Sequence, residues 1–203
     1  MDLFSPELID PINILPCDGK AYYYGEVIED SLAKAYFNTL FQQVAWQHDQ
    51  ALVYGKLIET KRKVAWYADL PFQYTYSGVT KQALPWFNTL LEIKALVESK
   101  TNETYNACLL NLYHNGEEAM AWHSDAEKEL KENAAIASLS LGAERKFSFK
   151  HKQNKQTVDV LLKHASLLVM QGETQKHWLH RLAPSKKVTE PRINLTFRTM
   201  MTP

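Results

Sequence analysis

Apolar residues change period along this chain, from helical spacing near the start to strand alternation beyond residue 105. Between Asp30 and Gln43 the spacing predicts an amphipathic helix, capped by Asp30 or Ser31. A second helix is predicted from Pro85, a residue favoured in the first turn, to about Ser99. The apolar face of the first helix is expected to hold Leu32, Tyr36, Phe37, Leu40, Phe41 and Val44.

Most of the chain beyond residue 105 is typical of β-strands. Residues 50–80 also show strands and turns rich in Tyr, Trp and Val. One or two helices beside many strands predict a mainly β (α+β) fold, a sandwich or jelly roll with N-terminal helices supporting it. The later predicted strands are Tyr105–Tyr113, Ile136–Leu141, Lys146–Lys150, Val158–Leu162, Ser166–Met170, His177–Leu182 and Arg192–Met200.

The 203 residues, 45% of them hydrophobic, suffice for one ordinary domain. We expect an irregular N-terminal arm over residues 1–20 and a single domain over 21–203. No apolar run approaches the ~20 residues of a membrane span, and the start lacks the features of a signal peptide, so an intracellular protein is expected. Two cysteines, Cys17 and Cys108, do not make a disulfide framework, and both are expected to be free thiols.

The charges balance to a net of zero but are unevenly distributed. Residues 1–30 hold seven acids against one lysine. Clustered Lys and Arg contact phosphates, so two basic stretches are candidates for following a nucleic-acid backbone, although a solvated charged surface explains them as well. These stretches contain Lys56, Lys61, Arg62 and Lys63, and Arg145, Lys146, Lys150, Lys152 and Lys155.

The sequence Trp122-His123-Ser124-Asp125 is a candidate metal-binding segment. In an extended strand, residues two apart point to the same side, so His123 and Asp125 can meet one ion. Two histidines and one carboxylate on one face of an ion form the site of non-haem iron(II) oxygenases, which leaves positions open for co-substrate and dioxygen. Candidates for the third ligand are His151, His164, His177 and His180, and His177 and His180 cannot both join because they are three residues apart on a predicted strand.

The final predicted strand alternates without a break. One face carries Ile193, Leu195 and Phe197, and the other carries Arg192, Asn194, Thr196 and Arg198. Inward-facing arginines need anionic partners, because an unpaired buried charge is costly, and a small dicarboxylate fits this requirement. Asn111 and Tyr113, also two apart, offer further polar groups. An exposed edge strand is the alternative explanation.

Together these motifs resemble the AlkB family of nucleic-acid dealkylating dioxygenases, over roughly residues 50 to 200. The resemblance implies iron(II) held by His123, Asp125 and His180, with 2-oxoglutarate and O2 as co-substrates and a double-stranded β-helix fold. It also selects His180 over His177, since the segment His177-Trp178-Leu179-His180 resembles the one whose second histidine binds iron. The implied 2-oxoglutarate pocket consists of Asn111, Tyr113, Arg192, Asn194, Thr196 and Arg198.

The chain is more similar still to the eukaryotic members of that family that repair duplex DNA. Residues 53–56 resemble a hairpin with an aromatic wedge that fills the place of an extruded base. The resemblance implies this role for Tyr54, with Gly55 beside it, although the relative has phenylalanine at the tip. Residues 50–80 would then be the nucleotide-recognition region, and residues 105–200 the catalytic core.

Two further segments resemble base-contacting parts of the family. Tyr74 and Tyr76 lie in a segment that resembles the one holding the base, with Tyr76 in place of phenylalanine, and Trp66 is a further aromatic candidate. After the iron-binding pair the relative has two acids, whereas this chain has Ala126 and Glu127, which leaves only Glu127 to contact the base.

The implied activity is oxidative demethylation of bases such as 1-methyladenine and 3-methylcytosine in DNA, both single- and double-stranded, by a monomer. The protein is expected in the cytoplasm of a bacterium or the nucleus of a eukaryote, and it is not expected to bind a membrane. Three alternatives keep parts of the pattern: an oxygenase acting on RNA or a protein side chain, a non-catalytic jelly-roll binding module, and a zinc hydrolase. The last is disfavoured because hydrolysis needs no dicarboxylate.

Overall fold

The computed structural model describes residues 11–53, 56–76 and 79–201, and the side chains of 51–53, 56–57, 74–76 and 79–81 lie outside the description. The helices are α1 (Asp30–Gln43), α2 (Asn88–Thr101) and α3 (Thr174–His177). The strands are β1 (Lys20–Glu26), β2 (Gln47–Val53), β3 (Lys56–Ala68), β4 (Gln73–Tyr76), β5 (Val79–Gln82), β6 (Ala107–Tyr113), β7 (Met120–His123), β8 (Ile136–Gly142), β9 (Arg145–His151), β10 (Thr157–Leu162), β11 (Ser166–Gln171), β12 (Trp178–Leu182) and β13 (Arg192–Arg198).

Within the described residues the strands form two main sheets and one small hairpin. The major sheet has the order β1-β11-β8-β13-β6-β3-β2, the minor sheet has the order β10-β9-β12-β7, and β4 pairs with β5. Each strand pairing is antiparallel. The chain crosses between the two main sheets several times, so the predicted mainly β fold with a jelly-roll arrangement is confirmed.

The alternation of β13 places one face of the major sheet under the helices and the other face toward the minor sheet. Ile193, Leu195 and Phe197 are fully buried in the largest apolar cluster, which also takes in residues of α1 and α2. The opposite face of β13 lines a cavity whose other wall comes from the minor sheet. Burial of the apolar face therefore fixes the polar face toward the interior between the sheets.

Both predicted helices are present, but their starting points differ from the prediction. Glu29, rather than Asp30 or Ser31, caps α1, because its Oε2 accepts the backbone N–H groups of Ser31 and Leu32 at 3.0 and 3.2 Å. On the predicted apolar face of α1, Leu32 and Phe41 remain 41% and 42% exposed, so that face is narrower than predicted.

The second helix begins at Asn88, three residues after Pro85. Leu84 still runs beside β3, where its N–H donates to the carbonyl of Trp66 at 2.9 Å. The chain is still extended at Phe87, with φ −117° and ψ 163°, so the helix begins only at Asn88. Among the described helices, none is long and apolar enough to cross a bilayer.

Gly142 ends β8 at a place where a side chain does not fit. Its φ is +88°, and a Cβ there would lie 2.4 Å from the carbonyl oxygen of Pro191 and 2.7 Å from the ring of Phe37. We therefore expect Gly142→Ala to lower the free energy of unfolding by about 1–3 kcal/mol from crowding, with about 1–2 kcal/mol more from the left-handed backbone.

Gly25→Ala is the matched control, because Gly25 also has a positive φ, +67°, but a Cβ at this position would meet no neighbouring atom within 4 Å. Urea unfolding should show the smaller, backbone-only loss for this variant. Equal losses at Gly25 and Gly142 would show that crowding at Gly142 has no energetic effect.

Candidate metal centre and co-substrate pocket

Two strand residues and one residue just beyond a strand bring their side chains together between the sheets. His180 of β12 pairs in register with His123 of β7, and Asp125 follows two residues after β7. Oδ1 of Asp125 lies 3.7 Å from Nε2 of His123 and 3.7 Å from Nε2 of His180. One ion about 2.0–2.2 Å from each ligand atom fits between them. The prediction that both residues lie on one extended strand is wrong, because β7 ends at His123, but the two side chains still meet.

The surroundings of both histidines are compatible with a metal ion. Nδ1 of His123 donates to the carbonyl oxygen of Ala121 at 2.8 Å, because a carbonyl can only accept, and this bond directs Nε2 toward Asp125 and His180. Burial lowers the pKa of His180 to about 3, with further effects from the neighbouring charges, so its ring is neutral. A neutral imidazole is the form that binds a metal.

Asp125 is held on two sides. Its Oδ2 lies 2.6 Å from Nη2 of Arg198, and its backbone N–H donates to Oε1 of Gln175 at 2.9 Å. Burial acts to raise the pKa of Asp125, but the charge and hydrogen bond of Arg198, together with the two histidine rings beside it, outweigh burial and lower it to about 2. The carboxylate is therefore ionised, with Oδ1 directed toward the histidines.

Gln175, which the sequence analysis missed, positions the backbone of Asp125. We expect Gln175→Met to weaken iron(II) binding about tenfold, as loss of a group that orients a ligand does. Gln175→Glu keeps an acceptor oxygen and should bind iron at least as tightly as the unaltered protein. Iron titration of both variants distinguishes the effects, and equal weakening in the two would contradict this role.

The structure places His180, and not His177, beside His123 and Asp125. His177 ends α3 and stacks on His151 with ring centroids 6.2 Å apart. Since β12 begins at Trp178, His177 lies outside the strand that was predicted to contain it.

A second group with metal-ligand atoms lies elsewhere among the described residues, formed by Cys17, Asp18 and His151. Nδ1 of His151 faces the backbone N–H groups of Gln153 and Asn154 at 3.3 and 3.1 Å and must accept from them. The proton is then on Nε2, which lies 3.2 Å from Asp18. A protonated Nε2 has no lone pair for a metal, so this group does not fit an ion.

The polar face of β13 forms the floor of the cavity. Arg192 is 2% exposed, and its Nη2 donates to Oγ of Ser140 at 2.9 Å. Burial lowers the pKa of Arg192 to about 10, so it remains a cation at neutral pH. Among the described residues no carboxylate lies within 4 Å of its guanidinium, which leaves a buried charge in need of an anion.

The other residues predicted for the pocket line the same cavity as Arg192. In the β6–β13 register Arg192 is opposite Tyr113, and Asn194 is opposite Asn111. Oδ1 of Asn111 is buried without a hydrogen-bond partner in the described structure. Thr196 donates to Oδ1 of Asn194 at 3.2 Å. Arg198 lines the same cavity, but its bond to Asp125 places it at the metal end.

Comparison with known proteins bears on this arrangement. The model of the 2OG-Fe(II) oxygenase superfamily matches residues 20–198. The chain is 36% identical to mouse DNA oxidative demethylase ALKBH2, a match that covers 98% of this chain and 87% of the relative. The chain belongs to the AlkB family of 2OG-Fe(II) oxygenases.

Other AlkB relatives match over a smaller part of their own length. Bovine alkB homolog 3, an alpha-ketoglutarate-dependent dioxygenase, is 38% identical over 83% of this chain and 62% of its own. Human DNA oxidative demethylase ALKBH2 is 40% identical over 73% of this chain and 60% of its own. This chain thus spans about 60% of these relatives. The solved structure of OsALKBH1 has a TM-score of 0.56 at 12% identity, covers 83% of this chain and 91% of that one, and supports the fold alone.

The residues of the cavity fit both iron(II) and 2-oxoglutarate, the two groups for which the superfamily is named. The donor set of two imidazoles and one carboxylate suits iron(II) and leaves coordination positions open. The buried cation of Arg192, which has no acid within 4 Å among the described residues, suits the carboxylate of a small anionic ligand.

The substrate-facing side of this AlkB-family site is described only in part. Tyr54 and Gly55 lie outside the described residues, and so do the side chains of Tyr74 and Tyr76, whose backbone belongs to β4. Glu127 is half-buried and lines a cavity together with His123, Asp125 and Trp66. Trp66 is 8% exposed and also belongs to an apolar cluster, so it serves the core and the cavity wall together.

Two of the residues predicted to contact phosphate are buried instead. Arg62 is 6% exposed and forms an ion pair with buried Asp49 beside the cavity. Arg145 is 1% exposed. Lys61 is exposed, as a phosphate contact requires, whereas Lys146 is bound to Asp159 at 2.7 Å.

Ser138, which lines the cavity, and Ser140 hold pocket side chains in place, and the sequence analysis missed both. They receive hydrogen bonds from Asn194 and Arg192 respectively, at 2.8 and 2.9 Å. A signal was present, because these two polar residues alternate within an otherwise apolar predicted strand and therefore share one face.

Proposed function

We propose that the chain is an iron(II)- and 2-oxoglutarate-dependent dioxygenase that removes alkyl groups from N-alkylated bases in DNA. Substrates would include 1-methyladenine and 3-methylcytosine, so the reaction is a direct-reversal repair. The observation that carries the proposal is the cluster of His123, Asp125 and His180 in the same cavity as the buried, acid-free cation of Arg192. Relatives named DNA oxidative demethylase support the choice of DNA.

The proposal extends to the organisation of the chain. The two main sheets would form a double-stranded β-helix supported by α1 and α2, within one dioxygenase domain over residues 21–203. Residues 1–20 would be an arm, residues about 50–80 the nucleotide-recognition region, and residues about 105–200 the catalytic core. The protein would act as a monomer inside the cell.

His123, Asp125 and His180 would hold the iron. When bound, the iron supplies oxidation of the N-alkyl carbon by dioxygen, coupled to conversion of 2-oxoglutarate to succinate and carbon dioxide. The resulting N-hydroxymethyl base releases formaldehyde and the repaired base. Arg198 keeps Asp125 ionised and oriented, and Arg192 binds the distal carboxylate of 2-oxoglutarate with help from Asn111, Tyr113, Asn194 and Thr196.

The base must leave its stack to reach this cavity between the sheets. Tyr76 would stack on the extruded base, with Tyr74 and Trp66 close to it, and Glu127 would contact its edge. Tyr54 and Gly55 would occupy the vacated position in a duplex. Base stacking on an aromatic ring contributes about 1–3 kcal/mol.

An assay of methyl loss tests both the activity and the wedge. The protein is incubated with iron(II), ascorbate and 2-oxoglutarate, and with matched single- and double-stranded oligonucleotides that carry 1-methyladenine or 3-methylcytosine. We expect loss of the methyl group from both, and Tyr54→Ala should reduce duplex activity more than single-strand activity, because only a duplex has a vacated stack to fill.

Equal loss on both substrates would reject the wedge but retain the dioxygenase. Turnover of methylated RNA or a protein side chain, with none on either DNA, would reject the proposed substrate. Consumption of no 2-oxoglutarate with any substrate would reject the proposed reaction.

A further inference from the structure

Arg145, at the start of β9, is among the largest fully buried side chains of the described structure. Its guanidinium does not bind an acid there. It instead donates to backbone carbonyl oxygens at 2.8–3.3 Å, those of Asn115, Gly116, Glu118 and Ala183. Because backbone carbonyls are neutral, these hydrogen bonds do not cancel the positive charge of the guanidinium with a counter-ion.

These carbonyls belong to two loops that lead from and to residues lining the cavity. One loop directly follows Tyr113 of β6, and the other connects β12 to Arg192 of β13. The loops are also joined directly, because Gly116 donates to the carbonyl of Val188 and accepts from the N–H of Ser185, both at 2.7 Å. Arg145 thus joins the two segments that deliver Tyr113 and Arg192 to the pocket.

The ring of Tyr113 lies near both guanidiniums. Cζ of Arg145 is 5.8 Å from the ring centroid, and Cζ of Arg192 is 5.5 Å from it. Glu118 is the acid whose charge acts on Arg145, but its two oxygens are bound by the backbone and the ring of His114. Two positive charges therefore lie beside the ring of Tyr113, and of the two only Arg192 belongs to the polar face of β13.

We propose that Arg145 is a positioning residue for the distal carboxylate of 2-oxoglutarate. It fixes the ring of Tyr113 and the loop leading to Arg192, and its charge adds to the attraction for the carboxylate. This inference rests on the proposed function, because it needs 2-oxoglutarate as the ligand of Arg192. It adds a residue of the minor sheet to a pocket whose predicted carboxylate contacts all lie on the major sheet.

The test compares two ligands with the same chelating end. Manganese-loaded protein is titrated calorimetrically with 2-oxoglutarate and with 2-oxobutyrate, which lacks the distal carboxylate. Arg145→Met removes a positive charge whose attraction for the distal carboxylate is strong because the carboxylate is partly desolvated. We therefore expect this variant to bind 2-oxoglutarate about tenfold or more weakly and to bind 2-oxobutyrate as the unaltered protein does. Arg145→Lys keeps the charge but loses the planar fork, so its loss for 2-oxoglutarate should be smaller, about threefold.

The outcomes separate the inference from alternatives. Equal weakening for both ligands would show a merely structural role and overturn the proposal, and so would unchanged binding in both variants. If Arg145→Met does not fold, Arg145→Lys decides, since a loss confined to 2-oxoglutarate supports the proposal and its absence refutes it. If the unaltered protein binds 2-oxoglutarate no better than 2-oxobutyrate, the proposed pocket itself fails, and this inference fails with it.

Discussion

Replacing His180 with alanine will abolish both iron binding and turnover of methylated DNA, whereas His177→Ala will leave both close to the values of the unaltered protein. His180 lies in the cluster with His123 and Asp125, 3.7 Å from the carboxylate. His177 stacks on His151, away from that cluster. With two ligands left, the ion loses the three-point support that a facial site requires.

Metal analysis of the purified variants, together with methyl loss from a 1-methyladenine oligonucleotide, measures the two effects. His177→Ala is the matched control, since it removes the same side chain only three positions away. If His180→Ala retained iron and turnover, the ligand assignment would be contradicted. If only His177→Ala lost both, His177 would be the metal ligand instead of His180.

Arg192→Met should weaken 2-oxoglutarate binding severely while leaving the ligand-free protein at least as stable as before. Loss of one partner from a buried charge pair costs about 2–5 kcal/mol, which corresponds to roughly 30-fold or more in the KM for 2-oxoglutarate. In the ligand-free protein Arg192 has no acid within 4 Å among the described residues, so methionine removes a desolvated charge without breaking an ion pair.

Arg181→Met is the control, because Arg181 stacks on Trp122 at 4.4 Å and does not line the pocket. Its KM for 2-oxoglutarate should not change. Steady-state kinetics and the Tm without ligand test both parts of the prediction for Arg192. An unchanged KM in Arg192→Met would remove Arg192 from the pocket, and a much lower Tm would show that its charge is already compensated.

The last strand shows how much of the site could be predicted from local pattern. The alternation over 192–198 correctly separated a fully buried apolar face from a polar face that lines the cavity. Such a period-two pattern depends only on neighbouring residues, and its register with β6 then places Asn111 and Tyr113 opposite Asn194 and Arg192.

The arginines could not be assigned in the same way. Arg62 and Arg145 were interpreted within basic stretches of sequence, but each is buried by partners distant in the chain. Arg62 pairs with Asp49, 13 residues earlier, and Arg145 binds the carbonyl of Ala183, 38 residues later. Charge clustering in sequence does not reveal such contacts, because they depend on strand order.

The choice between His177 and His180 needed more than the residue pattern. If both lie on one strand, they face opposite sides, and alternation alone selects neither. The structure separates them, since His177 completes the short helix α3 and β12 begins only at Trp178. The resemblance to the AlkB family pointed to His180, and the structure places that residue in the cluster.

A crystal structure of the protein with manganese and 2-oxoglutarate would test the central claim most directly. We predict one metal ion bound by Nε2 of His123, Nε2 of His180 and the carboxylate of Asp125, with the distal carboxylate of 2-oxoglutarate on Arg192. A metal bound instead by Cys17, Asp18 and His151, or a 2-oxoglutarate molecule that leaves Arg192 without an anion, would contradict the account.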